Sequence, residues 1–361
     1  MTTRRPILLT PGPVQTSAAV RGALAESDFC HRDVAFRELA ARVVRRLTRL
    51  LEAPDHDLLL LSGGGTSATE ASLATFLAPD DEILIVSNGA FAERIAEVAE
   101  LLGARPRQLA YGWGEAIDPD DVERFLDSHP EARYLAMVHH ETSVGALNPV
   151  HRVGEILHER GVRYIVDAVS SVGAEELSVA RGHVGLVIGS ANKCLHGVAG
   201  VSFVAVRRSW WEALGEIPPR SLFLDLRRYR DALAEGETSP FTPPVSPIVA
   251  LARALEELDE SGGPEARRAH YERLSGVLRQ GLRDLGIEPS NGVPRSSAMT
   301  LARLPEGVEF DAFQRELREA GYVIDPVKGA LRASHCIVAN MGAVDLGTIE
   351  GFLAAVRRVL A

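Results

Sequence analysis

Cysteine is scarce in this chain: Cys30, Cys194 and Cys336 are the three in 361 residues, far apart and without a C-x-x-C pair. That pattern excludes a disulfide framework and a thiolate zinc site. A basic excess is missing too. The formal charge is −10 and no Lys/Arg cluster is interleaved with aromatics, so no nucleic-acid partner is expected. No apolar run is long enough to span a bilayer, and prolines break the N-terminal MTTRRPILLTPGP; we expect no membrane partner and a cytoplasmic location. The tract His139, His140, Glu141, Thr142 lacks the second histidine of H-E-x-x-H, and no metal is expected. The His31-Arg32-Asp33 triplet has no kinase-type asparagine or glycine loop to support it.

The 46% share of hydrophobic residues is enough for a large core and a second, smaller unit. After an extended arm, LLTPGP, apolar residues at Phe36, Leu39, Val43, Leu47 and Leu50 recur every three or four positions, which predicts an amphipathic helix with a basic outer face. The period then changes. Leu58–Leu61 reads as a buried strand, followed by Gly63-Gly64-Gly65 and by Ser67 and Glu70 in a capping-box spacing that opens a helix. Strand, glycine turn and helix N-terminus together form a phosphate site, to which Thr66 adds a hydroxyl. Gly63, Gly65 and Ala68 also satisfy G-x-G-x-x-A, but the next strand ends on Ser87 and Asn88 rather than on an acid, which disfavours NAD.

Strands and amphipathic helices alternate from Asp80 to about Val206, predicting an α/β fold with a mostly parallel sheet. The segments RRSWWEALGEIPPR and GETSPFTPPVSP then leave the sheet, and the remainder reads as a compact α+β unit. The expected division is an arm over 1–20, a large domain over 21–250 and a small C-terminal domain over 251–361.

Two polar groups stand at the exits of buried strands. VRYIV ends on Asp167, and GLVIG leads into SANK, which ends on Lys193. Adjacent parallel strands would bring both to one crevice, where open α/β sheets keep their chemistry. Pyridoxal 5'-phosphate (PLP) asks for this pair: a lysine for its Schiff base and an aspartate against its pyridine nitrogen. The bland alternative is a capping aspartate and a solvated lysine, as in a non-catalytic α/β protein. Phe91, after SNGA, is a loop aromatic that either stacks on a planar ring or joins the core. Cys194 reads as a small buried residue.

Taken together, LLTPGP, GGGTSATEA, IVSNGAF, MVHHETSVGALNP, YIVDAVSSVG, SANKCLHGVAG, SLFLDL, FTPP and ANMG resemble the class V aminotransferases of fold-type I, in this order and over nearly the whole chain. The resemblance implies a PLP-dependent aminotransferase acting on a small amine, such as an aminophosphonate, and a 2-oxo acid. It implies Lys193 as the lysine that carries the proton, Asp167 at the pyridine nitrogen, Phe91 on the ring and Thr142 at the ring oxygen. Gly64, Gly65 and Thr66 fall at the phosphate cup, with Asn192 just before the lysine. Thr242 matches the residue that reaches a phosphate in the neighbouring subunit of a homodimer.

Two departures stand out. Gly64 replaces the usual serine of the phosphate loop. Ile337, in C-I-V-A-N-M-G, stands where relatives carry an arginine that clamps the substrate's anionic group. Either another cation substitutes, with Arg32, Lys328 and Arg332 as candidates beside Gly12 of the arm, or the substrate differs. A PLP-dependent lyase is therefore the alternative reading.

Overall fold

Buried β-branched runs build the central sheet. In the computed structural model, which describes residues 5–25, 28–212, 214, 217–290 and 295–361, seven strands lie in the order 56–62, 201–207, 186–190, 163–167, 134–138, 82–87 and 105–110. The strand 201–207 runs antiparallel to both of its neighbours; the other pairings are parallel. Both faces are covered, as continuous apolar strands require. Leu84 and Val86 point into one core with Leu135, Met137, Val166 and the helix 34–50, while Ile83 and Ile85 point into the other with Ala136, Ile165 and the helices 65–76 and 90–101. The helix expected near the N-terminus spans Val34–Leu50, capped by the Asp33 side chain, with Phe36, Val43 and Leu47 buried.

The second body is a four-stranded antiparallel sheet, in the order 288–289, 299–303, 335–339, 325–326, covered by helices Gly263–Asp284, Phe310–Glu319 and Leu346–Val359. Strand alternation sorts its residues. Cys336 and Val338 enter this body's own core; Ile337 and Ala339 face the first body, in a cluster with Cys194 and Val14. Leu251, Leu255 and Leu258 of helix Val245–Glu260 pack into the large core, and Leu274, Leu278 and Leu282 of helix Gly263–Asp284 into that of the second body, so the packing changes at Ser261–Gly262. The N-terminal arm belongs to both bodies. Ile7–Leu8 pairs in parallel with Tyr322–Val323, and the helix Ala18–Ala23, capped by Ser17, packs on the helix 245–260 through Val20, Ala250 and Ala254. Among the described residues no helix is long and apolar enough to cross a membrane.

Candidate active site

The site follows from where strands end. Strand Arg163–Asp167 is the parallel neighbour of strand Leu186–Ser190, with Asp167 opposite Ile188, so Asp167 and the turn carrying Asn192 and Lys193 leave the sheet at the same edge. One pocket there brings together Gly64, Gly65, Thr66, Phe91, Asp167, Asn192 and Lys193.

The phosphate loop differs from the expected capping box. The helix starts at Gly65, with Gly64 as N-cap and no side-chain cap, and Ser67 sits inside the first turn, its hydroxyl donating to the Gly64 carbonyl at 2.7 Å. The reason is steric and local: three glycines let the chain turn into the helix directly after the strand. The result places the first-turn amides, which have no helical partner, at the pocket wall, as an anion site requires. Phe91 also differs from its loop assignment, since it stands in the first turn of helix Ala90–Leu101, whose start is held by the buried Glu141 carboxylate accepting from the amides of Phe91 and Ala92 at 3.0 and 3.2 Å.

The electrostatics of the two strand-end groups are those of a dry site. Burial pushes the Asp167 carboxyl up to about 6, against the opposing pull of the Val169 amide that it accepts and of the Lys193 and Arg94 charges. Burial likewise pulls the Lys193 ammonium below its ordinary range, opposed by Cys194, Asp167 and Asp325. No hydrogen bond or ion pair to Lys193 Nζ occurs among the described residues, and it lies 6.0 Å from the centroid of the Phe91 ring. An amine biased towards its neutral form is a nucleophile and a base. Cys194 is fully buried and its thiol is raised by that burial, so it is inert.

Gly12 meets Lys193 from the arm. Its φ is +141°, and a Cβ there would fall 2.5 Å from Lys193 Nζ. Gly12→Ala is therefore expected to displace the lysine and cut turnover at least about tenfold while leaving the secondary structure intact; a variant with wild-type turnover would remove the arm from the account. Other expected members lie elsewhere. Thr142 is buried with an unpaired hydroxyl but is outside the pocket wall. Thr242 is exposed and outside it too. Arg32 is exposed and does not line the pocket, and Arg332 is exposed and faces Asp311 at 3.8 Å.

Two ionisable residues of the pocket, Arg94 and His140, are not marked for this site by the sequence pattern. Arg94 follows Phe91 by one helical turn and shares its face; its guanidinium carbon is 4.9 Å from the ring centroid and its Nη1 is 3.3 Å from Thr66 Oγ1. The i, i+3 spacing was the available signal. His140, weighed only as a metal ligand, lines the pocket, fully buried, with Nδ1 3.0 Å from the Ser170 carbonyl and Nε2 unpaired. Burial lowers its basicity, and the carbonyl contact places the remaining proton on Nδ1.

These residues fit PLP. The first-turn amides and Arg94 suit its phosphate, the buried Asp167 carboxylate with one backbone partner suits a protonated ring nitrogen, and the unpaired Lys193 amine suits the aldehyde. Fold and site together define a PLP-dependent enzyme of fold-type I. The chain belongs to the class V aminotransferases, whose family model matches residues 22–336. It is 37% identical to the 2-aminoethylphosphonate–pyruvate transaminase of Salmonella schwarzengrund over 369 aligned residues, covering 100% of this chain and 99% of that one. Among solved structures it resembles alanine–glyoxylate aminotransferase from Nostoc sp. (TM-score 0.94, 26% identity, 100% and 97% coverage) and pyridoxamine–pyruvate aminotransferase from Mesorhizobium loti (TM-score 0.92, 26% identity, 100% and 93% coverage).

Proposed function

We propose that this aminotransferase moves the amino group of a small primary amine, with 2-aminoethylphosphonate the leading donor, to a 2-oxo acid such as pyruvate in two half-reactions. The reaction type rests on one observation: an unpaired amine of lowered basicity, Lys193 Nζ, beside the Phe91 ring and at the same sheet edge as Asp167. The donor and acceptor are supported by the full-length relatives named for that pair.

PLP, when bound, supplies a sink for the electron pair left when a C–H bond next to nitrogen breaks. Lys193 would tether it; once released, Nζ takes the proton from the donor carbon as a base and returns it as an acid. Asp167 would face the ring nitrogen and keep it protonated, a role that needs its carboxylate ionised. Phe91 would lie against the ring. Gly64, Gly65 and Thr66, with Arg94 and Asn192, would hold the phosphate, and Asn192 is itself oriented by the Ser190 hydroxyl, which donates to its side chain at 2.6 Å. Thr142 would serve the ring oxygen. Thr242, exposed and outside its own pocket, would serve the phosphate site of a second copy in a homodimer.

Arg94→Ala is expected to weaken PLP binding about 10- to 100-fold, the value of a charge-assisted contact to phosphate. Titrating the cofactor-free protein with PLP checks it, and an unchanged midpoint would take Arg94 out of the phosphate site. The function itself is tested by alanine formation from pyruvate with 2-aminoethylphosphonate as sole amine. The buried, apolar Ile337 favours one other reading, a lyase on the same scaffold; ammonia released without alanine would establish it instead.

A further inference from the structure

Lysine is the exception in this chain. Of 39 Lys and Arg side chains two are lysine, at 193 and 328, and arginine fills every other basic position. The two lysines, 135 positions apart in sequence, meet at one aromatic ring: Lys193 Nζ is 6.0 Å and Lys328 Nζ 5.7 Å from the Phe91 centroid. Lys328 is exposed, and no hydrogen bond or ion pair to it occurs among the described residues.

The corner where relatives place the clamping arginine is closed to anions here. Ile337 faces the large body within an apolar cluster that includes Cys194 and Val14. Asp325 is its direct partner across the antiparallel pair, so both side chains stand on the same face of the sheet. Asp325 is half-buried and feels the charges of both Lys193 and Lys328. A phosphonate or carboxylate at that corner would meet a hydrocarbon surface and a like charge. Arg32, Arg332 and Lys328 are all exposed and outside the pocket wall, but among the described residues only Lys328 of the three lies over the Phe91 ring, and Arg332 faces Asp311. Arg94 is engaged with Thr66.

We propose that Lys328 is the specificity-determining contact for the substrate's anionic end, so that this end lies on the Phe91 side of the site rather than at position 337. The inference rests on the aminotransferase reading above. A compact ammonium can serve there, binding a phosphonate as a point charge beside a ring already flanked by the Arg94 guanidinium.

The test uses the PLP-loaded enzyme and two amines of equal length, 2-aminoethylphosphonate and propylamine, following the visible band of the cofactor with each amine alone. Lys328→Ala is expected to raise the half-saturating concentration of the phosphonate about 10- to 100-fold and to leave that of propylamine unchanged. Lys328→Arg, which restores charge with different geometry, is expected to recover part of the loss. An unaltered response of Lys328→Ala to the phosphonate overturns the proposal. Should wild-type enzyme ignore the phosphonate, the donor assignment fails on its own. The proposal is then decided with pyruvate and enzyme carrying the amine form of the cofactor, where Lys328→Ala must raise the half-saturating pyruvate concentration and an unchanged value overturns it.

Discussion

Lys193→Ala loses turnover by at least about 10³-fold and no longer holds the cofactor covalently. The size follows from removing the group that moves the proton, an effect on the order of 10²–10⁴ by itself, together with its tether. The fold should survive. Lys193 Nζ has no hydrogen bond or ion pair among the described residues, and burial works against its charge, so its removal takes away the cost of a buried amine and breaks no hydrogen bond. The cofactor-free variant is accordingly expected to melt no lower than the cofactor-free parent. Mass measurement after borohydride treatment separates the outcomes: the parent gains the cofactor's mass and the variant does not. Turnover surviving in the variant would show that another group carries the proton.

Asp167→Asn is expected to reduce turnover about 10²–10³-fold, the usual size of losing a preorganised charge next to the reacting system. It also changes stability in a direction that is fixed by its titration. The folded-state pKa of Asp167, about 6, is raised above the ordinary 3.8. The folded state therefore binds this proton more tightly than the unfolded chain, and the associated stability is complete below 3.8 and lost as pH rises through 6. At neutral pH the cofactor-free parent carries the full penalty of a buried carboxylate, on the order of 3 kcal/mol. Asparagine removes the titration. The cofactor-free variant should thus gain on its parent as pH is raised from 4 to 7 and keep a constant advantage above that, read by thermal melting across the range. A difference independent of pH would place the raised carboxyl elsewhere.

The opposite effects on activity and stability are characteristic of a site whose charges await a ligand. Lys193 and Asp167 are both held by the fold with the cost of burial only partly offset. The amide-rich helix start at Gly65 and the unpaired Nε2 of His140 belong to the same pattern.

How much of this was legible in the sequence depends on the range of the interaction involved. Asp167 and Lys193 were visible because a buried parallel strand is an unbroken apolar run, and a polar residue that ends it stands at the sheet edge where ligands bind. Gly64 and Gly65 were visible by the same logic, although the capping-box spacing of Ser67 and Glu70 pointed to a later helix start than Gly65. Propensity favoured serine as a cap; the glycine turn overrode it. Arg94 is not legible as a partner of Phe91 while SNGAF reads as a loop, because a residue three positions on shares a face with it only once both are helical.

The three cations proposed for the missing arginine looked alike in sequence. Arg32 and Arg332 are exposed and do not line the pocket, while Lys328 reaches the Phe91 ring, and that distinction depends on how the second body sits against the first. The packing change at Ser261–Gly262 was hidden for a related reason: the helix 245–260 is amphipathic throughout its length, and periodicity does not say which core receives its apolar face.

The measurement that bears most directly on the central claim is the visible absorption spectrum of the purified protein before and after 2-aminoethylphosphonate is added without any oxo acid. The account predicts a yellow protein whose band bleaches on adding the amine and returns when pyruvate follows. A protein that shows no band, even after incubation with PLP, would contradict it.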